Sequence, residues 1–171
     1  MIGVIMKKHP HIVNINDLES VTSSHGQKFE SKRKRLSAAA GGKELGCSIY
    51  EIPPGKQAFP HHAHLGNEES FYIVSGRGEC RIGDEKFEVS AGSYVACPAG
   101  EENAHSLKNI GAEPLVYLGI STSNETDIML YPDSKKIAIA GGANMQQGLK
   151  TAKYYKVIKD QPSVEYYLDE E

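Results

Sequence analysis

The sequence predicts an all-β domain, closed as a barrel or jelly roll. Two observations carry that prediction. Twelve of the 17 glycines lie between Gly41 and Gly119, where they interrupt short apolar runs. Turn signals every ~8–12 residues are the rhythm of short strands joined by tight turns. No apolar stripe of helical period persists there for three turns. About eight such strands hide their edges most readily by closing into a barrel or jelly roll.

The strands read in order as follows. Leu45 to Ile52 ends at Pro53-Pro54-Gly55, which cannot continue a ladder. Ala58 to His64 is a second candidate. Glu69 to Ser75 is rich in β-formers (Phe71, Tyr72, Ile73, Val74) and closes at Gly76 and Gly78. Glu79 to Ile82 and Lys86 to Val89 flank Gly83-Asp84-Glu85, a hairpin signal. Ser93 to Cys97 follows the turn at Ala91-Gly92 and stops at Pro98-Ala99-Gly100. His105 to Ile110 and Leu115 to Ser121 are separated by Gly111-Ala112-Glu113-Pro114.

The chain divides into an N-terminal arm (1–40), a barrel core (41–122) and a C-terminal extension (123–171) packed on the barrel or on a partner subunit. The N-terminal arm holds few strand signals. Its basic run, Lys32-Arg33-Lys34-Arg35, reads as a solvated strand or loop facing water or an acidic neighbour, because the rest of the chain is acidic.

The 171 residues suit one domain able to bury a core without staples. With 19 Lys+Arg against 22 Asp+Glu, the net charge of −3 argues against a nucleic-acid partner. No apolar stretch approaches the ~20 residues of a membrane helix. The start, Met1 to Lys8, has its charges after the apolar run, the reverse of a secretory signal. A cytoplasmic location is expected. Cys47, Cys80 and Cys97, odd in number and far apart, read as reduced core thiols.

Four of the seven histidines are His61, His62, His64 and His105. Strand side chains alternate, so His62 and His64 share one face and His61 takes the other. The loop Leu65-Gly66-Asn67-Glu68 and then Glu69 return an acid beside the imidazoles, and His105 opens a later strand. Three imidazole nitrogens and a carboxylate oxygen suit one divalent transition metal per subunit, Zn, Mn, Fe, Ni or Cu. They do not form an oxygen-dominated Ca or Mg cage.

Gly55, His62-x-His64, Glu69 and Gly76 resemble the first cupin motif. Gly92, Pro98-Ala99-Gly100, His105 and Asn109 resemble the second. The resemblance covers about residues 45–121. The longer pattern, with Asn67-Glu68-Glu69, Tyr131-Pro132-Asp133 and an acidic tail, is similar to a bacterial single-domain subgroup. It implies a double-stranded β-helix, a jelly-roll cupin barrel with N- and C-terminal arms, commonly a homodimer. Carried over position by position, it implies His62, His64, Glu69 and His105 as metal ligands. Glu68 is the alternative acid; the six-residue spacing to Gly76 selects Glu69. Two spacings depart from the pattern. Six residues separate Gly55 from His62 rather than five, and four separate Gly100 from His105 rather than two, with Asn103 at the usual position.

An open ion can polarise a carbonyl, activate water or, as iron, bind O₂. Three functions stay open: a metal-dependent enzyme (isomerase or dioxygenase) on a small polar, sugar-related metabolite; a non-catalytic small-molecule binding protein; and a structural barrel. Tyr72, Tyr94 and Asn109 are candidate pocket residues, the tyrosines as bases behind the metal ligands and Asn109 as a turn-fixing side chain.

Overall fold

The computed structural model describes residues 9–144 and 146–170. The reading of Met1 to Lys8 as a segment unlike a secretory signal lies outside the described residues. Thirteen strands are present among them. In chain order they are β1 (Val21–His25), β2 (Phe29–Arg35), β3 (Leu45–Ile52), β4 (Ala63–His64), β5 (Glu69–Ser75), β6 (Arg77–Ile82) and β7 (Glu85–Ser90). There follow β8 (Tyr94–Cys97), β9 (His105–Asn109), β10 (Leu115–Thr122), β11 (Asp127–Tyr131), β12 (Lys136–Gly141) and β13 (Tyr154–Lys159). One four-residue helix, α1 (Leu36–Ala39), and short 3-10 turns complete the chain. No described helix is long and apolar enough to cross a membrane.

Three sheets build the jelly roll. The largest runs β1-β2-β3-β10-β5-β8, a second runs β13-β12-β11-β4, and a third β7-β6-β9. Every strand pair is antiparallel. Isolated bridges pair Phe29 with Gln57, Gln57 with Lys108 and His62 with His105, tying the sheets together.

Alternation along the strands places the core. In β3, Ser48, Tyr50 and Ile52 point inward, and in β5, Phe71 and Ile73 do so while Tyr72 and Val74 face out. Ile52, Ile73 and Leu115 are fully buried, with Tyr117 beside them. Each such aliphatic side chain contributes roughly 1.5–3 kcal/mol over its exposed state. Tyr50 and Tyr117 stack at 4.9 Å between ring centroids.

Two stretches differ from the sequence expectation. Residues 58–62 do not form a continuous strand; only Ala63–His64 enters a ladder, against β11. Pro60 has no N–H to give to one. Residues 1–40, expected to hold few strands, contribute β1 and β2, and β2 pairs with β3 over Lys32–Arg35. The basic run is therefore a strand within the largest sheet. Its apolar content is low because Arg33 and Arg35 turn toward a cavity, while Lys32 faces water and Lys34 donates to Ile15 O.

Candidate metal centre and cavity

The histidine cluster sits where the three sheets meet. His62 and His105 form a two-way bridge, the N–H of each donating to the carbonyl of the other at 3.0 and 2.7 Å. His64 follows on β4, and Glu69 opens β5 with its side chain on the same inward face as Phe71. Ligand atoms of His62, Glu69 and His105 all lie within 4.8 Å of one another. Glu69 Oε2 lies 3.2 Å from His105 Nε2, 3.7 Å from His64 Nε2 and 3.8 Å from His62 Nε2.

The other nitrogen of each ring is already committed. His62 Nδ1 donates to Pro60 O at 2.8 Å and His105 Nδ1 to Asn103 O at 3.0 Å. Carbonyls only accept, so these contacts fix the proton on Nδ1. His64 Nδ1 meets Asp127 Oδ2 at 2.5 Å. Asp127 is buried, and it also accepts from the Gly66 N–H at 2.8 Å and from Asn67 Nδ2 at 2.9 Å. Burial works to raise its pKa, but the bonds from His64 and Asn67 outweigh it, and the net shift is down. Asp127 is thus an ionised acceptor that orients His64, the arrangement commonly found behind metal-binding imidazoles.

These contacts leave three Nε2 atoms aimed at one carboxylate. Burial opposes ionisation of Glu69, yet the His105 contact and the imidazoles of His64 and His62 hold its pKa down at about 2. Burial is also the main influence on His62, lowering it to about 4. For His64, desolvation is outweighed by Asp127 and Glu69, and the pKa rises. Around neutral pH, His62 therefore presents a lone pair to an anionic oxygen. Two acceptors face one another unless a cation lies between them. Donors ~2.1 Å from a common ion are about 3–3.5 Å apart, close to the separations here. The donor set fits a divalent transition metal.

The cluster forms one wall of a cavity of about 380 Å³, to which Tyr50, Phe59, His62, His64, Glu69 and Tyr131 contribute. Tyr131 stacks on His62 at 6.0 Å, and burial lifts its phenol to about 12, so it stays protonated.

Among the described residues, His62, Glu69 and His105 form the group whose ligand atoms all lie close together; His64 reaches Glu69 but falls outside that group. The structure does not bring Tyr72, Tyr94 or Asn109 to the cavity. Tyr72 and Tyr94 are cross-strand partners on the outer face, 43% and 63% exposed. The alternation that turns Phe71, Ile73 and Val95 inward turns them out. Asn109 is fully buried at the end of β9, where it fixes the following turn by donating to Ile52 O and Glu113 O and accepting from the Gly111 N–H. His61, expected on the opposite face from His62 and His64, is buried, its Nδ1 lacking a hydrogen-bond partner among the described residues.

Several residues of the site went unread in the sequence. Asp127 carries no local motif. Arg33 and Arg35 line the cavity with Lys150. Their signal was present in the i, i+2 spacing that puts both on one face of β2. Lys32 and Lys34 take the other face, where Lys32 pairs with Glu51 at 3.3 Å.

Comparison with known proteins places this architecture. A cupin domain matches residues 48–121. An uncharacterized protein of Methanocaldococcus jannaschii is 37% identical over 67 residues, 39% of this chain and 51% of that one, so the chain spans about half the length of that relative. The fold is similar to a crystal structure of a protein put forward as a sugar phosphate isomerase from Acidithiobacillus ferrooxidans. The TM-score is 0.79 at 23% identity, covering 91% of this chain and 97% of that one. It is also similar to a cupin-superfamily sugar phosphate isomerase from Silicibacter pomeroyi, with a TM-score of 0.73 at 18% identity over 86% and 92% of the two chains. The matched region contains all four ligand candidates, His62, His64, Glu69 and His105, and over that region the chain is similar to a cupin domain.

Proposed function

We propose that this chain is a metal-dependent cupin that takes a small polar, sugar-related metabolite into its cavity and isomerises it. His62, His64, Glu69 and His105 hold one divalent transition ion (Zn, Mn, Fe, Ni or Cu) per subunit. The observation that carries the reading is the convergence of three Nδ1-anchored imidazoles on the ionised Glu69. A bound ion would supply a Lewis acid for a carbonyl or hydroxyl oxygen. The sugar-related substrate is suggested by the activity stated for the two similar crystal structures.

The chain's own residues have separate tasks in this reading. Asp127 fixes the ring of His64. Phe59 and Tyr131 line the cavity beside His62 and offer apolar ring surface to a ligand. Tyr131, protonated across the working pH range, donates a hydrogen bond to a substrate oxygen. The assembly proposed is a homodimer; strand β13, with Tyr154, Tyr155, Val157 and Ile158 exposed at a sheet edge, supports self-association, which sedimentation would test.

One observation favours a second reading, non-catalytic binding. Glu69 is the single carboxylate among the described residues lining the cavity. Once it ligates a metal, no second carboxylate remains to move a carbon-bound proton.

Elemental analysis of purified and reconstituted protein tests the metal. About one equivalent per chain is expected, falling sharply in His62→Ala and His64→Ala; unchanged occupancy refutes the assignment. Incubation with aldose and ketose phosphates in D₂O, followed by NMR, separates the two readings. Deuterium entering the carbon beside the carbonyl supports isomerisation. Saturable binding without exchange supports the second reading.

A further inference from the structure

We propose that Arg33 and Arg35 form an oxyanion subsite, so that the ligand carries a phosphate or carboxylate group bound at these two side chains. This rests on the reading of the cavity as a ligand site. It adds the ligand's charge and its orientation.

Placement comes first. In the β2–β3 register, Arg33 lies opposite Tyr50 and Arg35 opposite Ser48, both inward positions of β3. Residues two apart on a strand are ~7 Å apart on one face. That spacing lets two guanidinium groups approach one tetrahedral or planar anion. Arg33 Nε donates to Ser48 Oγ at 3.0 Å, and its guanidinium lies 5.2 Å from the Tyr50 ring centroid. Arg35 Nη1 donates to Gln146 O at 3.1 Å. These contacts aim the side chains but do not neutralise them. Neither arginine has a carboxylate partner among the described residues, whereas Arg77 and Arg81 both do.

Charge points the same way. The chain carries −3 overall. Yet its cavity gathers Arg33, Arg35 and Lys150 around the single carboxylate Glu69. Burial first, and the nearby Arg33 second, push the pKa of Arg35 down. Folding therefore keeps two half-buried cations on one strand face with no carboxylate counter-ion among the described residues, an arrangement that an anionic ligand relieves. Arginine is the residue suited to this task, because its planar fork matches phosphate and carboxylate oxygens in pairs.

The test uses the full chain, stripped of metal with a chelator, and inorganic phosphate as the probe. Calorimetric titration is expected to show saturable binding. Arg33→Gln and Arg35→Gln should each weaken it about ten- to hundredfold, and the double variant should abolish it. Lys32→Gln and Lys34→Gln, on the opposite face of the same strand, should leave it unchanged. Acetate titrated in parallel distinguishes the two sources of the oxyanion: the tighter probe names the ligand's group. A second measurement needs no variant. Phosphate should protect Arg33 and Arg35, but not Arg77, from phenylglyoxal, read by peptide mass spectrometry. Absence of saturable binding to the wild type, undiminished binding by the folded double variant, or equal labelling of all three arginines with and without phosphate overturns the subsite. His62→Ala separates this test from the metal reading: it should lose metal and keep phosphate binding.

Discussion

Replacing Asp127 with Asn tests whether the second contact of His64 controls the metal centre. The substitution keeps size and shape but turns one acceptor oxygen into a donor. Asp127 has a donor at each of its oxygens: Gly66 N–H at Oδ1, and His64 Nδ1 with Asn67 Nδ2 at Oδ2. Whichever way the new amide turns, its NH₂ meets a group that now donates. If it faces Gly66, a buried backbone N–H is stranded at a cost of roughly 1–3 kcal/mol in stability. If it faces His64, the ring can relieve the conflict by moving its proton from Nδ1 to Nε2. That places a hydrogen on the nitrogen aimed at Glu69, where a metal would bind. Loss of such a supporting contact commonly weakens metal affinity about 10–100-fold. Competition with a chromophoric chelator at neutral pH measures the affinity, and ¹⁵N shifts of the imidazole report the tautomer. A folded Asp127→Asn protein with affinity within about twofold of wild type, and the proton still on Nδ1, would refute the reasoning.

Two further outcomes follow from the geometry. In metal-free protein, stability should fall as pH drops from 6.5 toward 4. The unfolded chain then binds a proton at His62 that the folded chain, with its pKa lowered to about 4, does not; the loss approaches ~3 kcal/mol. A second loss follows from 4.5 down to about 2 as the Glu69 advantage disappears. Urea unfolding in chelator at pH 6 and pH 4.5, below the range in which the raised His64 contributes with the opposite sign, checks the sign, and a midpoint that rises on acidification contradicts it. Gly76→Ala should destabilise by about 2–4 kcal/mol, because φ is +87° and a Cβ would lie 2.6 Å from Pro114 O and 2.9 Å from Leu115 Cα. Gly92→Ala, at φ +91° with open space around it, should cost only the backbone strain, ~1–2 kcal/mol. Equal melting temperatures for the two variants would show that the crowding at Gly76 is unimportant.

The barrel was legible where strands carry apolar residues and stop at glycine or proline. Leu45–Ile52 and Glu69–Ser75 appear in the structure with the expected ends. The imidazole cluster was legible because His62, His64 and Glu69 are close in sequence and strand alternation orders them. The strands outside that core were harder to see. All five residues of β1 are exposed, and β2 (Phe-Glu-Ser-Lys-Arg-Lys-Arg) buries only Ser31, so neither shows an apolar face. Asp127 became part of the site only through the pairing of β11 with β4, more than 60 residues apart, which no local pattern records. Tyr72 and Tyr94 are a different case. The alternation set by Phe71, Ile73 and Val95 turns them outward, and a phenol on that face cannot reach the cavity.

The origin of the four candidate ligands bears on what metal removal should do. His64 belongs to the four-stranded sheet, Glu69 to the six-stranded sheet and His105 to the three-stranded one, with His62 bridged to His105. An ion bound by all four would be a tie between sheets rather than an ornament on one loop. No single sheet, nor the unfolded chain, presents the whole set, so binding energy adds to the stability of the closed barrel. At a free metal concentration 100 times the dissociation constant, that addition is about 2.7 kcal/mol. For a domain of this size it corresponds to a melting shift of roughly 5–10 °C. Chelation should therefore lower the melting temperature in one cooperative step and raise amide exchange across all three sheets. The ordered loop Leu65-Gly66-Asn67, pinned by Asp127 and Asn124, offers the contrast. Faster exchange confined to that loop, with the melting temperature unchanged, would show that the site is local and that the three sheets close without it.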